Sequence, residues 1–341
     1  MLNIESLRQA LSVPRKIVII PHQKPDADAL GSCLALWNFF KNKGHVATVI
    51  SPTQYPDFLQ WMPGHEETLV YSEATHGSCQ QVISEAEIIF CLDFNDLKRC
   101  EPLDVLISGN TTAIKAMVDH HQDKKDFANF EYVRVTAAAT AELIYELIHL
   151  LGNDSDITPP IASCIYAGIM TDTGSFKYPA TTPQIHRIVA NLMEKGINHS
   201  LIHRNIYDNS TLDRLRLKGF ALSERLKVIP ELHTAYFVLS KADLSRFHHQ
   251  IGDTEGLVNY GLSIRGVKLS VILKEDEGFV KMSLRSVGSL SVNDIARTHF
   301  NGGGHINAAG GRLPGMSIEE AERCFLEVIY SYKDTLADTN N

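Results

Sequence analysis

No two of the six cysteines (Cys33, Cys79, Cys91, Cys100, Cys164, Cys324) stand in a Cys-x-x-Cys pair. That argues against a zinc knuckle or a dithiol motif, and the apolar segments around several of them predict buried free thiols. Long apolar runs are missing too. None approaches the roughly 20 residues of a membrane helix, and the first ten residues lack the basic start and apolar run of a signal peptide. The expectation is a cytoplasmic protein that does not engage membranes. Positive charge is in deficit, with 32 Lys and Arg against 40 Asp and Glu for a net charge of −8. An extended surface for long duplex nucleic acid is therefore not expected, because such ligands are held mainly by phosphate neutralisation. Short phosphorylated ligands stay in play, since bound metal ions can supply local positive charge. A Gly-Lys-Ser/Thr phosphate loop is also absent.

With 341 residues, 44% hydrophobic and 21% charged, the chain has the makeup of an ordinary globular protein with length for two domains. Its first half alternates. Residues 16–20, 46–50, 88–92, 116–118 and 132–135 read as strands, and 29–43, 137–151 and 161–170 as helices. That order implies an α/β domain with a mostly parallel sheet flanked by helices on both faces, whose ligands sit beyond the carboxyl ends of the strands. Residues 183–194, 201–207 and 212–228 read as helices without a metal-type cluster. Strand-like runs at 233–239, 267–274 and 279–285, then a helix at 317–333, predict a smaller α+β domain. The expected boundaries are 1–190 for the first domain, 191–227 for a helical connector and 228–341 for the second domain.

Four acidic knots follow apolar runs in the first half. They are His22-x3-Asp26-x-Asp28, Asp93, Asp119-His120-His121, and Asp172 in Asp172-Thr173-Gly174-Ser175-Phe176. Taken singly, each also reads as a solvated loop, a cap or a turn. Together they collect carboxylates and imidazoles at strand ends, the O and N donors that a pair of divalent cations needs. In His-x3-Asp-x-Asp the two aspartates can point to different ions while the histidine joins the first. Asp93 follows five apolar residues, where a carboxylate is costly to bury without a partner. A shared oxygen ligand is the usual way to hold two ions roughly 3.5–4 Å apart. Strand alternation sends the neighbours in Asp119-His120-His121 to opposite sides. One histidine as ligand, the other towards substrate and Asp119 as their orienter is the expected division. These four knots point to a metal-dependent phosphoesterase.

The stretch Asn301-Gly302-Gly303-Gly304-His305 is the other conspicuous feature. Successive glycines expose backbone N–H groups to an anion, His305 adds a donor, and Arg285 can add a fork of donors to a phosphate. The alternative is a flexible hairpin or a helix-entry loop.

Residues 22–32, Leu92-Asp93, Asp119-His120-His121 and 172–176 resemble the four motifs of the DHH phosphoesterases. Gly302-Gly303-Gly304-His305 with Ser283-Leu284-Arg285-Ser286 resembles the associated DHHA1 domain. Length and two-domain layout are most similar to the nanoRNase/pAp phosphatase group, whose members include proteins called RecJ-like or exopolyphosphatase-related. The resemblance implies two divalent cations, manganese foremost, with magnesium or cobalt as substitutes. His22, Asp26 and Asp93 would hold one ion; Asp28, Asp93, His120 and Asp172 would hold the other. His121 would face the scissile phosphate, oriented by Asp119. Arg285, Ser286, Gly303, Gly304 and His305 would bind substrate from the second domain, across a cleft.

The implied reaction is in-line attack of a metal-bridging hydroxide on short single-stranded RNA or DNA oligonucleotides or on 3′-phosphoadenosine 5′-phosphate (pAp). Pyrophosphate, polyphosphate or dinucleotide hydrolysis is the alternative, and a nucleotide sensor without turnover is the non-enzymatic one. A homodimer is compatible with the resemblance. Two departures stand out. Ala27 replaces a glycine common in the first motif, and the alanine-rich 135–142 leaves any hydroxyl contact there to Thr140.

Overall fold

The apolar runs of the first half pair side by side. In the computed structural model, which describes residues 3–337, strands β1 (Lys16–Pro21), β2 (Val46–Ser51), β3 (Leu69–Val70), β4 (Ile88–Leu92), β5 (Ile114–Asp119) and β6 (Phe130–Val133) form one sheet. Its order is β3-β2-β1-β4-β5-β6 and every pairing is parallel. Both faces are covered. Ile17 and Ile19 of β1 join one buried cluster with the helices Ala27–Asn42, Thr140–Leu151 and Pro159–Asp172, while Val18 and Ile20 join another with Ile83, Ile107 and Cys100. Alternation sends successive side chains to opposite faces, so a strand buried on both reads as an unbroken apolar run.

The strand order runs outward in opposite directions from β1 and from β4. The crevice beyond their carboxyl ends is therefore a topological switch point, where sheets of this type take ligands. His22 follows β1 and Asp93 follows β4 without a residue between.

The chain divides between Asn209 and Ser210 into two compact units. The second carries β7 (Leu226–Ile229), β8 (Thr234–Leu239), β9 (Leu269–Asp276), β10 (Phe279–Ser286), β11 (Gly303–His305) and β12 (Ala308–Pro314). They form a sheet of order β11-β12-β10-β9-β8-β7, antiparallel except for β8 with β9. Val271, Met282 and Leu284 from this sheet pack with Phe300 and Phe325 in its buried core. The helix expected over 212–228 stops early. Leu212–Phe220 is helical, one wide turn follows at Ala221–Arg225, and 226–229 leaves as β7 to pair with β8.

All six cysteines are free, five of them buried. No helix among the described residues is long and apolar enough to cross a membrane.

Candidate active site

Asp93 has φ of +65°, a left-handed backbone that few residues other than glycine adopt. Its N–H donates to the Val118 carbonyl of β5 at 3.0 Å, and the Thr140 hydroxyl donates to its Oδ1 at 2.8 Å. The turn aims one buried carboxylate at two imidazoles. Oδ2 lies 3.4 Å from His22 Nε2 and Oδ1 lies 3.5 Å from His120 Nε2.

Each imidazole brings its own acids. On the His22 side, Asp26 caps the helix Ala27–Asn42, its Oδ1 accepting from the N–H groups of Asp28 and Ala29 at 3.0 Å. Its Oδ2 then lies 4.0 Å from His22 Nε2. On the His120 side, Asp28 Oδ2 and Asp172 Oδ2 lie 3.9 and 3.4 Å from His120 Nε2. Asp172 is the last residue of the helix Pro159–Asp172, the end where the dipole disfavours a carboxylate. His22, Asp26 and Asp93 can thus bring ligand atoms within 4.8 Å of one another, and so can Asp28, Asp93 and His120.

Asp28 also holds the fold together. The helix Thr140–Leu151 starts after Ala139, which offers no side-chain cap. The Asp28 carboxylate supplies one, accepting from the N–H groups of Thr140 at 2.7 Å and Ala141 at 2.8 Å.

The donor set fits divalent cations. His22 Nδ1 lies 2.7 Å from the Gln23 carbonyl and His120 Nδ1 lies 3.1 Å from that of Ala137. A carbonyl only accepts, so each Nδ1 carries the proton and each Nε2 presents its lone pair to carboxylate oxygens. Acceptor facing acceptor is repulsive unless a cation, either a proton or a metal ion, lies between. The titration behaviour carries the same signature. Burial, with Asp93 next, pushes the Asp28 carboxyl up to about 8. For His22 and His120, burial pulls the pKa down but is outweighed by Asp93 and its neighbouring acids, so both end raised.

His121 is held differently. Its Nδ1 lies 2.7 Å from Oδ1 of fully buried Asp119, which fixes the orientation of the ring. Burial draws the His121 pKa down, partly offset by Asp119.

Two glycines set the approach of the helices behind the cluster. A Cβ on Gly31, inside the first motif, would sit 2.6 Å from the Cys164 carbonyl oxygen. One on Gly168 would sit 2.7 Å from both Asp28 Oδ1 and the Ala141 Cβ. Sequence reasoning misses Gly168, for which a lone glycine inside an apolar helix is the available signal. Gly168→Ala is expected to cost about 1–3 kcal/mol by overpacking. It should also weaken divalent-ion binding about 10- to 100-fold by displacing Asp28. Melting curves with and without Mn²⁺ check both; an unchanged metal response would separate Gly168 from the cluster.

In the second unit, Arg285 and His305 both pair with Ala308, from β10 and β11 on either side of β12. Residues directly opposite share a face, so the two side chains stand on one surface roughly 10 Å apart with a methyl group between. Ser286 donates its hydroxyl to the Leu290 carbonyl at 2.6 Å and accepts from Asn307 Nδ2 at 2.9 Å. The N–H of Gly304 donates to Asn293 Oδ1 at 2.8 Å. Sequence reasoning misses Asn293 and Asn307 as well; an asparagine near a glycine run is the only cue.

Residues 16–169 match the DHH family, N-terminal domain, and residues 246–333 match the DHHA1 domain. The chain belongs to the DHH family. It is 30% identical to the bifunctional oligoribonuclease and PAP phosphatase NrnA of Thermus thermophilus, over 93% of this chain and 90% of that protein. It is 24% identical to the cyclic-di-AMP phosphodiesterase PdeA of Listeria monocytogenes, covering 96% of this chain but 49% of that protein. The crystal structure of an exopolyphosphatase-related protein from Bacteroides fragilis superposes with a TM-score of 0.92 at 39% identity, over 98% of this chain and 97% of that one. The DHH match ends three residues before Asp172, whose 3.4 Å approach to His120 nevertheless puts it with the other acids.

Proposed function

We propose that this chain is a divalent-cation-dependent phosphoesterase that hydrolyses short oligonucleotides, pAp, or both. The observation that carries the reading is Asp93, presenting one carboxylate oxygen to His22 and the other to His120. His22, Asp26 and Asp93 would hold one cation; Asp28, Asp93, His120 and Asp172 would hold the second. When bound, the two cations, manganese foremost, would lower the pKa of a water nucleophile and neutralise charge developing on phosphorus. His121, held by Asp119, would assist departure of the leaving oxygen as acid or electrostatic stabiliser. Arg285, Ser286, Gly303, Gly304 and His305 would bind substrate phosphate or nucleotide. The substrate class rests on the NrnA relative, which spans the chain almost end to end.

The test is a side-by-side assay on a pApA dinucleotide, pAp, cyclic di-AMP, polyphosphate and pyrophosphate with Mn²⁺. Turnover of the first two, faster than of the rest, is the expected result. Preference for polyphosphate would favour the activity for which the Bacteroides fragilis relative is named, and turnover of none would favour a sensor. Arg285→Ala is expected to cut activity on nucleotides about 10- to 100-fold with metal content unchanged. A small ester such as bis-p-nitrophenyl phosphate should lose less, and equal losses would place Arg285 in the chemistry.

A further inference from the structure

Strand β6 lies at the edge of the first sheet and has two unlike faces. Tyr132 and Arg134 turn to the helix Thr140–Leu151, where the Tyr132 hydroxyl donates to Glu146 Oε2 at 2.7 Å and Arg134 donates to Glu142 Oε1 at 2.8 Å. Alternation sends Glu131 and Val133 the other way. With Val135, and with His121, Asp123 and Lys124 from the segment after β5, they line a cavity of about 340 Å³. That volume is in the range of small-molecule sites. The cavity borders the acidic cluster, since His121 belongs to its wall and Val133 pairs in register with Asp119.

The wall is chemically selective. The Glu131 side chain is only 7% exposed, and Lys124 ion-pairs with its Oε2. Its buried Oε1 accepts from no donor among the described residues. A buried carboxylate oxygen without a donor is unfavourable, and a ligand that brings one relieves it. Carboxylates only accept, so Glu131 and Asp123 suit a partner rich in N–H or O–H groups and repel an anion. Val133 and half-exposed Val135 add an apolar surface. Donor groups on a partly apolar, uncharged body are the chemistry of a nucleoside, not of a phosphate.

We propose that this cavity holds the nucleoside on the leaving side of the scissile bond. Its ribose hydroxyls or base amine donate to Glu131, and its body packs on Val133 and Val135. The leaving side is assigned through His121, which serves the leaving oxygen in the phosphoesterase reading above. The inference rests on that reading and deepens it, by giving a preference for nucleotides over polyphosphate a physical origin. A phosphate leaving group brings charge where the cavity wants donors.

Glu131→Met, close in volume but without an acceptor, is expected to lower kcat/KM on pApA about tenfold with bound Mn²⁺ per chain unchanged. Bis-p-nitrophenyl phosphate, whose leaving group carries no such donor, should lose less, and an equal loss on both esters overturns the assignment. Comparing pApA with its 2′-deoxy and its inosine counterparts locates the donor. The parent's preference for ribose or for adenine should vanish in the variant; a parent with neither preference, or a variant that keeps both, overturns it too. Val135→Arg, at an exposed position, should shift relative turnover from pApA towards tripolyphosphate. It decides the matter if the methionine variant does not fold, an unchanged ratio counting against the cavity. Adenosine alone separates the site from the activity. In calorimetry it should bind the parent, and bind Glu131→Met about tenfold weaker; equal binding overturns the proposal. A parent that binds adenosine through Glu131 yet hydrolyses no nucleotide would remove the proposed activity and leave the nucleoside site standing.

Discussion

Asp93→Asn is expected to reduce turnover by at least about a thousandfold and to leave fewer than two divalent ions bound per chain. Even groups that only orient a metal ligand cost 10- to 100-fold when removed, and Asp93 faces both halves of the cluster with separate oxygens. Asparagine is the informative replacement. It tolerates the left-handed backbone at φ +65° and can still accept from the Thr140 hydroxyl, so loss of charge is isolated from loss of fold. On adding Mn²⁺, the parent should gain stability and the variant little. Two ions per chain in Asp93→Asn, counted by elemental analysis, would end the case for a shared ligand.

Much of this site is legible in the sequence for a physical reason. A parallel strand buried on both faces must be apolar throughout, so a polar residue directly after it marks the strand end, where ligands bind. Asp93 after Ile88–Leu92, and His120 after β5, are found that way. What holds them in place is less legible. The cap that Asp28 gives to Thr140 and Ala141 joins residues more than a hundred positions apart, and no local pattern encodes it. Gly168 matters through what lies opposite it in space, which spacing alone does not reveal.

The second unit is harder to read. β7 looks like the end of a helix because 212–228 keeps an apolar period across the wide turn at Ala221–Arg225. β11 and β12 are rich in glycine, which strands disfavour, so their stretch suggests a loop. The structure shows why glycine is needed there. A Cβ on Gly302 would lie 1.9 Å from the Gly310 carbonyl oxygen, and one on Gly304 2.3 Å from that of Ala308.

Removing divalent ions by chelation and dialysis is expected to abolish turnover, and the effect of restoring them should depend on pH in a definite direction. In the metal-free protein burial and Asp93 hold the Asp28 carboxyl protonated up to about 8, far above its unfolded value. The folded state then binds more protons than the unfolded one between roughly pH 4 and 8, so metal-free stability falls as pH rises through that window. His22 and His120 act in the same sense. Burial lowers their pKa values, the surrounding acids more than restore them, and the stability that their protonated forms contribute is lost as pH rises. Divalent ions must displace those protons, so their affinity should strengthen with pH up to about 8, by as much as tenfold per unit for each proton released. Ions at about a thousand times their Kd stabilise a protein by about 4 kcal/mol. The melting temperatures with and without Mn²⁺ should therefore draw apart between pH 6 and pH 8. Calorimetry in buffers of different ionisation enthalpy should detect the released protons directly. A metal-induced shift that is flat across this range would remove Asp28 from the ligand set, and full turnover in excess chelator would remove the cations from the reaction.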